Sequence, residues 1–160
     1  MLHNTTVLRE DEYRRIQASV DTLVRSANAK VVFLVDKAGQ LIAASGAVSE
    51  LDTTSLASLT AGNIAATGGI AKLLRENEFA TQYHEGKDAH VHIQVVVQRV
   101  ILVVIFDARS SLGLVRLRVR KTAEELAAVF DEMNRRPPSV REGSAFAEIT
   151  DEDIDNLFND

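Results

Sequence analysis

Val100-Ile101-Leu102-Val103-Val104-Ile105-Phe106 runs for seven residues without a polar side chain, and Val31-Val32-Phe33-Leu34-Val35 is a shorter run of the same kind. A strand with one face in water alternates apolar and polar residues. These two do not alternate, so both faces of each should be covered. That places them side by side in the middle of a sheet. Working outward, Asp36-Lys37-Ala38-Gly39 supplies turn chemistry and Gln40 to Ser45 reads as the returning strand of a hairpin. Upstream of Val100, Phe79 to His84 and Ala89 to Val97 read as two strands joined by Glu85-Gly86-Lys87-Asp88, with Gln98-Arg99 leading into the central run. Successive hairpins predict an antiparallel order of 2-1-5-4-3. The strand at Phe79 to His84 falls at an edge, which is open to pairing with a second copy.

Three helical segments complete the chain. From about Glu10 to Ala27, Tyr13, Ile16, Val20, Leu23 and Val24 share one face. A second helix starts at Asp52, Thr53 or Thr54, all suitable N-caps, and runs to about Arg75. In the third, Leu112, Val115, Val119, Ala123, Leu126, Phe130 and Met133 step by three and four, and Arg135-Arg136-Pro137-Pro138 ends it because proline cannot continue a helix. The expected fold is a layered α+β domain in the order α-β-β-α-β-β-β-α. Its five-stranded antiparallel sheet has helices on both faces.

The 160 residues suit one domain with a short appendage, read as a domain over 1–134, a linker over 135–149 and an acidic motif over 150–160. The chain has no Cys, no apolar run near Met1 resembling a signal peptide, and no segment fit to span a bilayer, so a cytoplasmic setting without membrane insertion is expected. The net charge of −5 is unevenly placed. Seven of the 23 acidic residues lie from Glu142 onward with no Lys or Arg among them, leaving 18 basic against 16 acidic residues in the rest. Such a near-neutral body argues against nucleic acid as a partner, since a phosphate backbone needs a concentrated basic surface.

The second helix is the informative element. Thr53 to Ala71 contains no charged residue. Its side chains sort into three stripes. Leu56, Leu59, Asn63, Ala66, Ile70 and Leu73 are expected to pack on the chain's own sheet. Thr60, Ile64, Thr67, Ala71 and Leu74 form a flank, of which Thr60, Ile64, Thr67 and Ala71, together with Phe79, are read as a dimer interface. Ala57, Ala61, Ala65, Gly68, Gly69 and Lys72 form a stripe of small side chains ending in a lysine. Glycine costs about 1 kcal/mol relative to alanine inside a helix. Gly62, Gly68 and Gly69 in one helix therefore point to a close approach, and Ala61, Ala65, Gly68, Gly69 and Lys72 are read as a surface for a partner protein. Packing on the chain's own loops is the plainer alternative.

A search for catalytic chemistry returns little. There is no phosphate-binding G-x-x-x-x-G-K-[ST] loop, and no carboxylate pair or Ser-His-Asp set stands out. A hairpin could bring His84, His90 and His92 onto one face as metal ligands, but a solvated strand face is the plainer reading. Arg116, Arg118, Arg120 and Lys121 form a basic cluster on the third helix, either solvated or a dock for an acidic segment. No cofactor, no metal and no enzymatic activity are expected. In the tail, Thr150-x-x-Asp153 is a capping-box variant, and Ile154, Leu157 and Phe158 share a face with Phe146 and Ile149 just upstream. Five spaced apolar residues in an acidic segment suggest a tethered recognition motif.

Ala29 to Asp36, Asp52 to Asn63, Phe106-Asp107, Ser111 to Arg118 and Asp153 to Phe158 together resemble the Roadblock family of dynein-light-chain-like domains, and within it the bacterial gliding-motility regulators. The resemblance covers nearly the whole chain apart from the first dozen residues and the linker. It implies a fold related to longin and profilin domains. It also implies a homodimer that activates a small Ras-like GTPase of the MglA type by repositioning that enzyme's own catalytic residues, without a donated arginine. Ala65 and Gly69 match the family's GTPase-contacting positions, the tail matches its second GTPase contact, and the setting would be cell polarity and motility, with the protein able to gather at a pole. A dimeric adaptor without effect on nucleotide turnover and a small-ligand sensor are the competing readings.

Overall fold

The computed structural model describes residues 8–97 and 100–135. Its elements run α1 (Glu10–Ser26), β1 (Val31–Asp36), β2 (Leu41–Gly46), a 3-10 turn (Val48–Glu50), α2 (Thr53–Leu73), β3 (Thr81–Glu85), β4 (His90–Val97), β5 (Val100–Phe106) and α3 (Leu112–Arg135). The sheet is antiparallel in the order β2-β1-β5-β4-β3, as expected. The 3-10 turn is an addition to the expected elements. The Gln98-Arg99 turn, the linker beyond Arg135 and the tail residues Phe146, Ile149, Ile154, Leu157 and Phe158 lie outside the described residues.

Local chemistry sets the element ends. Asp36 Oδ1 accepts hydrogen bonds from the amides of Ala38 and Gln40, both 2.9 Å, and Gly39 takes a φ of +91° in the β1–β2 turn. Asp52 caps α2, its carboxylate accepting from the Ser55 amide at 3.1 Å and the Ser55 hydroxyl at 2.6 Å. Both α1 and α2 close through a left-handed residue. Asn28 (φ 50°) lets Ala29 N–H reach Val24 O at 3.0 Å, and Arg75 (φ 62°) lets Glu76 N–H reach Ala71 O at 2.8 Å.

The central strands are covered on both faces. Val32, Leu34, Leu102, Val104 and Phe106 lie under α1 and α3, in one core with Ile16, Val20, Leu23, Leu126 and Phe130. Val31, Phe33, Val35, Ile101 and Val103 lie on the other face with Ala57 and Ile64 of α2. On α1 the inward face includes Glu12 and not Tyr13, which is 45% exposed.

Candidate functional site

The structure reverses the expected orientation of α2. Leu59 is 70% exposed, Ile70 51%, Leu73 85% and Leu74 63%, whereas Ala57, Thr60, Ala61, Ile64 and Ala71 are buried. Of the stripe expected to pack on the sheet, Leu56 does so at the start of the helix, Leu59, Ala66, Ile70 and Leu73 are exposed, and the helix lies mainly on its small and β-branched side. The cause is volume. The sheet beneath α2 is already filled by Val31, Phe33, Val35, Ile101 and Val103, all at most 1% exposed, so the covering helix approaches on alanine and threonine.

The expected interface residues divide accordingly. Thr60, Ile64 and Ala71, expected as dimer contacts, and Ala61, expected as a partner contact, are buried within the chain itself. Thr67 is tied inside the chain as well. Its hydroxyl donates to Asn63 O at 2.9 Å and accepts from Gln82 Nε2 of β3 at 2.9 Å. Ala65, Gly69 and Lys72 stand exposed, and Gly68 and Phe79 are half-buried. A Cβ built at Gly62, Gly68 or Gly69 meets nothing within 4 Å, so packing within the described chain does not require these glycines.

The outward face of α2 is therefore an apolar ridge of Leu59, Ile70 and Leu73 beside small residues Gly62, Ala65, Ala66 and Gly69, bordered by Lys72. The ridge is what sequence reasoning missed. The available signal was the bulk of the two central strands, which leaves room only for a small-sided helix. Beside it, β3 forms the sheet edge as expected, although it starts at Thr81 rather than Phe79.

The three histidines do not converge. Tyr83 pairs with His92, His84 with Val91 and Glu85 with His90, so His84 points to the opposite face from His90 and His92. Nor is this a solvated face. His92 is 1% exposed, its Nδ1 and that of His90 are buried without a hydrogen-bond partner among the described residues, and burial holds the His92 imidazolium form down, helped by Arg116 from α3. Aromatic rings close around them, with Tyr83 stacked on Phe106 at 6.2 Å and His90 at 5.3 Å from Phe106. Among the described residues no group of three or more His, Cys, Asp or Glu could hold a metal ion, and no helix is long and apolar enough to cross a membrane.

Known structures share this architecture. Myxococcus xanthus MglB superposes with a TM-score of 0.78 at 55% identity, over 81% of this chain and 98% of that one. The gliding protein MglB of Thermus thermophilus gives 0.76 at 30% identity, over 82% and 99%. An MglB described in a tetrameric arrangement gives 0.77 at 30% identity, over 82% and 99%. No curated protein matches the chain. Residues 16–106, which reach from the core of α1 to the end of β5, match the Roadblock/LC7 domain, and the chain belongs to the Roadblock/LC7 family.

Proposed function

We infer that the chain is a GTPase-activating regulator of a small Ras-like GTPase of the MglA type, in bacterial cell polarity and motility. It acts as a cytoplasmic homodimer and has no active site of its own. The observation that carries this reading is the outward face of α2, which is uncharged from Thr53 to Ala71 and presents Leu59, Ile70 and Leu73 to solvent. Exposed apolar ridges of this kind mark protein contacts. The likeness to MglB proteins over nearly the whole of their length supports the same class of partner.

On this reading α2 divides its roles. Leu59, Ile70 and Leu73, beside the β3 edge and Phe79, serve the second copy. Ala65 and Gly69, with Gly68 and Lys72, serve the GTPase, whose backbone can come close because no side chain stands in the way. A surface without a charged tip acts by holding the GTPase's mobile catalytic segments in their working arrangement, the positioning part of phosphoryl-transfer catalysis. The tail residues Phe146, Ile149, Ile154, Leu157 and Phe158 add a second, tethered contact.

Single-turnover GTP hydrolysis by an MglA-type GTPase, with and without the chain, tests this. Stimulation is expected with the native chain and not with Ala65→Arg/Gly69→Arg, whose thermal unfolding should not be lowered because both positions face outward. Undiminished stimulation by the double variant would move the GTPase to another surface. Complex formation without stimulation would leave a dimeric adaptor.

A further inference from the structure

We propose that the acidic tail of this chain, residues 146–158, docks on the outward face of α3 in its own chain. The contact needs no GTPase and is distinct from the α2 face.

Helix α3 is divided by charge. Its first half carries Arg116, Arg118, Arg120 and Lys121 with no acidic residue, and its second half carries Glu124, Glu125, Asp131 and Glu132. None of the four cations forms an ion pair among the described residues. Between them Leu117 is 60% exposed, next to the half-buried Leu114. Arg116 also disfavours the charged form of His92 beneath it, a sign of the positive potential at this end.

The chain beyond α3 has the complementary order of charge. First come Arg136 and Arg141, then seven acidic residues from Glu142 onward around Phe146, Ile149, Ile154, Leu157 and Phe158. A chain that turns back along α3 would set its basic linker beside the acidic half of the helix and its acidic tail beside the basic half. Ile154, Leu157 and Phe158 would then reach Leu114 and Leu117. The lengths agree. Arg135 to Leu117 is about 27 Å at the helical rise of about 1.5 Å per residue. The nineteen residues from Arg136 to Ile154, as a coil, average about 24 Å end to end. A tether whose mean length matches its span gives the highest effective concentration at the seat.

The absence of native Cys allows a single nitroxide on Asn159→Cys in the full chain. Backbone amide signals of Gly113, Leu117, Arg120 and Lys121 should be broadened severalfold more than those of α2, and the effect should fade as salt rises. Arg120→Glu/Lys121→Glu, or Leu157→Ala/Phe158→Ala, should abolish it without changing the remaining spectrum. Mixing spin-labelled chains with isotope-labelled, unlabelled-tail chains separates the copies. Broadening seen only across the mixture would assign the seat to the second copy and overturn the proposal. So would broadening on α2, broadening nowhere on the domain, or broadening that survives both double substitutions.

Discussion

On one face of the sheet, Val32, Leu34, Leu102, Val104 and Phe106 lie under two helices that turn Ile16, Val20, Leu23, Leu126 and Phe130 inward. On the other face, Val31, Phe33, Val35, Ile101 and Val103 lie under one helix that turns mainly Ala57, Ala61, Ile64 and Ala71 inward and Leu59, Ile70 and Leu73 outward. Large residues meet large residues on the first face, and small ones cover large ones on the second. The α1–α3 face buries its large apolar groups in the fold, and the α2 face leaves several of its own exposed.

The sharpest break between the faces should come from truncating one large residue on each. Leu126 is fully buried, so Leu126→Ala should cost about 2–5 kcal/mol in urea unfolding. Leu73→Ala, at a residue 85% exposed, should change the stability of the dilute chain by no more than about 0.5 kcal/mol. Equal costs would mean that α2 already buries its ridge in the monomer.

A second pair separates the two sides of α2 itself. Ala71 is fully buried against the sheet, and Ala71→Leu should overpack it and cost about 1–3 kcal/mol. Its neighbour Ile70 is half exposed, and Ile70→Asp should leave the fold intact while removing self-association. Sedimentation at micromolar concentration reads the second effect. The native chain should run near twice its 17.5 kDa and the variant near that mass. A native monomer would remove the copy-to-copy role of the ridge.

The fold was legible because its deciding feature was compositional. Two strands without alternation could only be central, and hairpin lengths arranged the rest. The site was legible in part. Periodicity shows which α2 residues share a face, but it does not say which face meets the sheet. Apolarity alone places Leu59, Ile70 and Leu73 inside, and the volume of Phe33 and its neighbours decides otherwise. The histidines failed for a related reason. With period two, the length of the Gly86–Ala89 turn decides whether His84 joins His90 and His92, and a one-residue change in register reverses the answer.

The α1–α3 face should also be the pH-sensitive one. His92 lies on it, fully buried, with Tyr83 opposite and Arg116 above, and burial first and Arg116 second lower its pKa from the ordinary 6.5. A histidine easier to protonate in the unfolded chain favours unfolding as protons are added. Its stabilising contribution is therefore present above about pH 6.5 and is lost as pH falls through that value toward the folded pKa. The urea midpoint of the native chain should fall over this range, and that of His92→Gln should fall less. Equal slopes would show that His92 binds its proton equally well in the folded and unfolded states.

The smallest effects should come from the outward glycines of α2, and they have opposite signs in folding and in binding. Glycine inside a helix is less stable than alanine by roughly 0.5–1 kcal/mol, because it gives up more backbone freedom on folding. A methyl at Gly62 or Gly69 meets nothing within 4 Å in the free chain. Gly62→Ala and Gly69→Ala should therefore each stabilise the free protein by up to about that amount, seen as a higher urea midpoint at unchanged slope. If a second protein brings its backbone against this face, the same methyl occupies the space it needs. Gly69→Ala should then weaken GTPase binding while strengthening the fold, and Gly62→Ala should do the same to self-association. A variant that gains stability with both associations intact would show that these glycines serve neither contact, and the apolar ridge alone would then carry the interface.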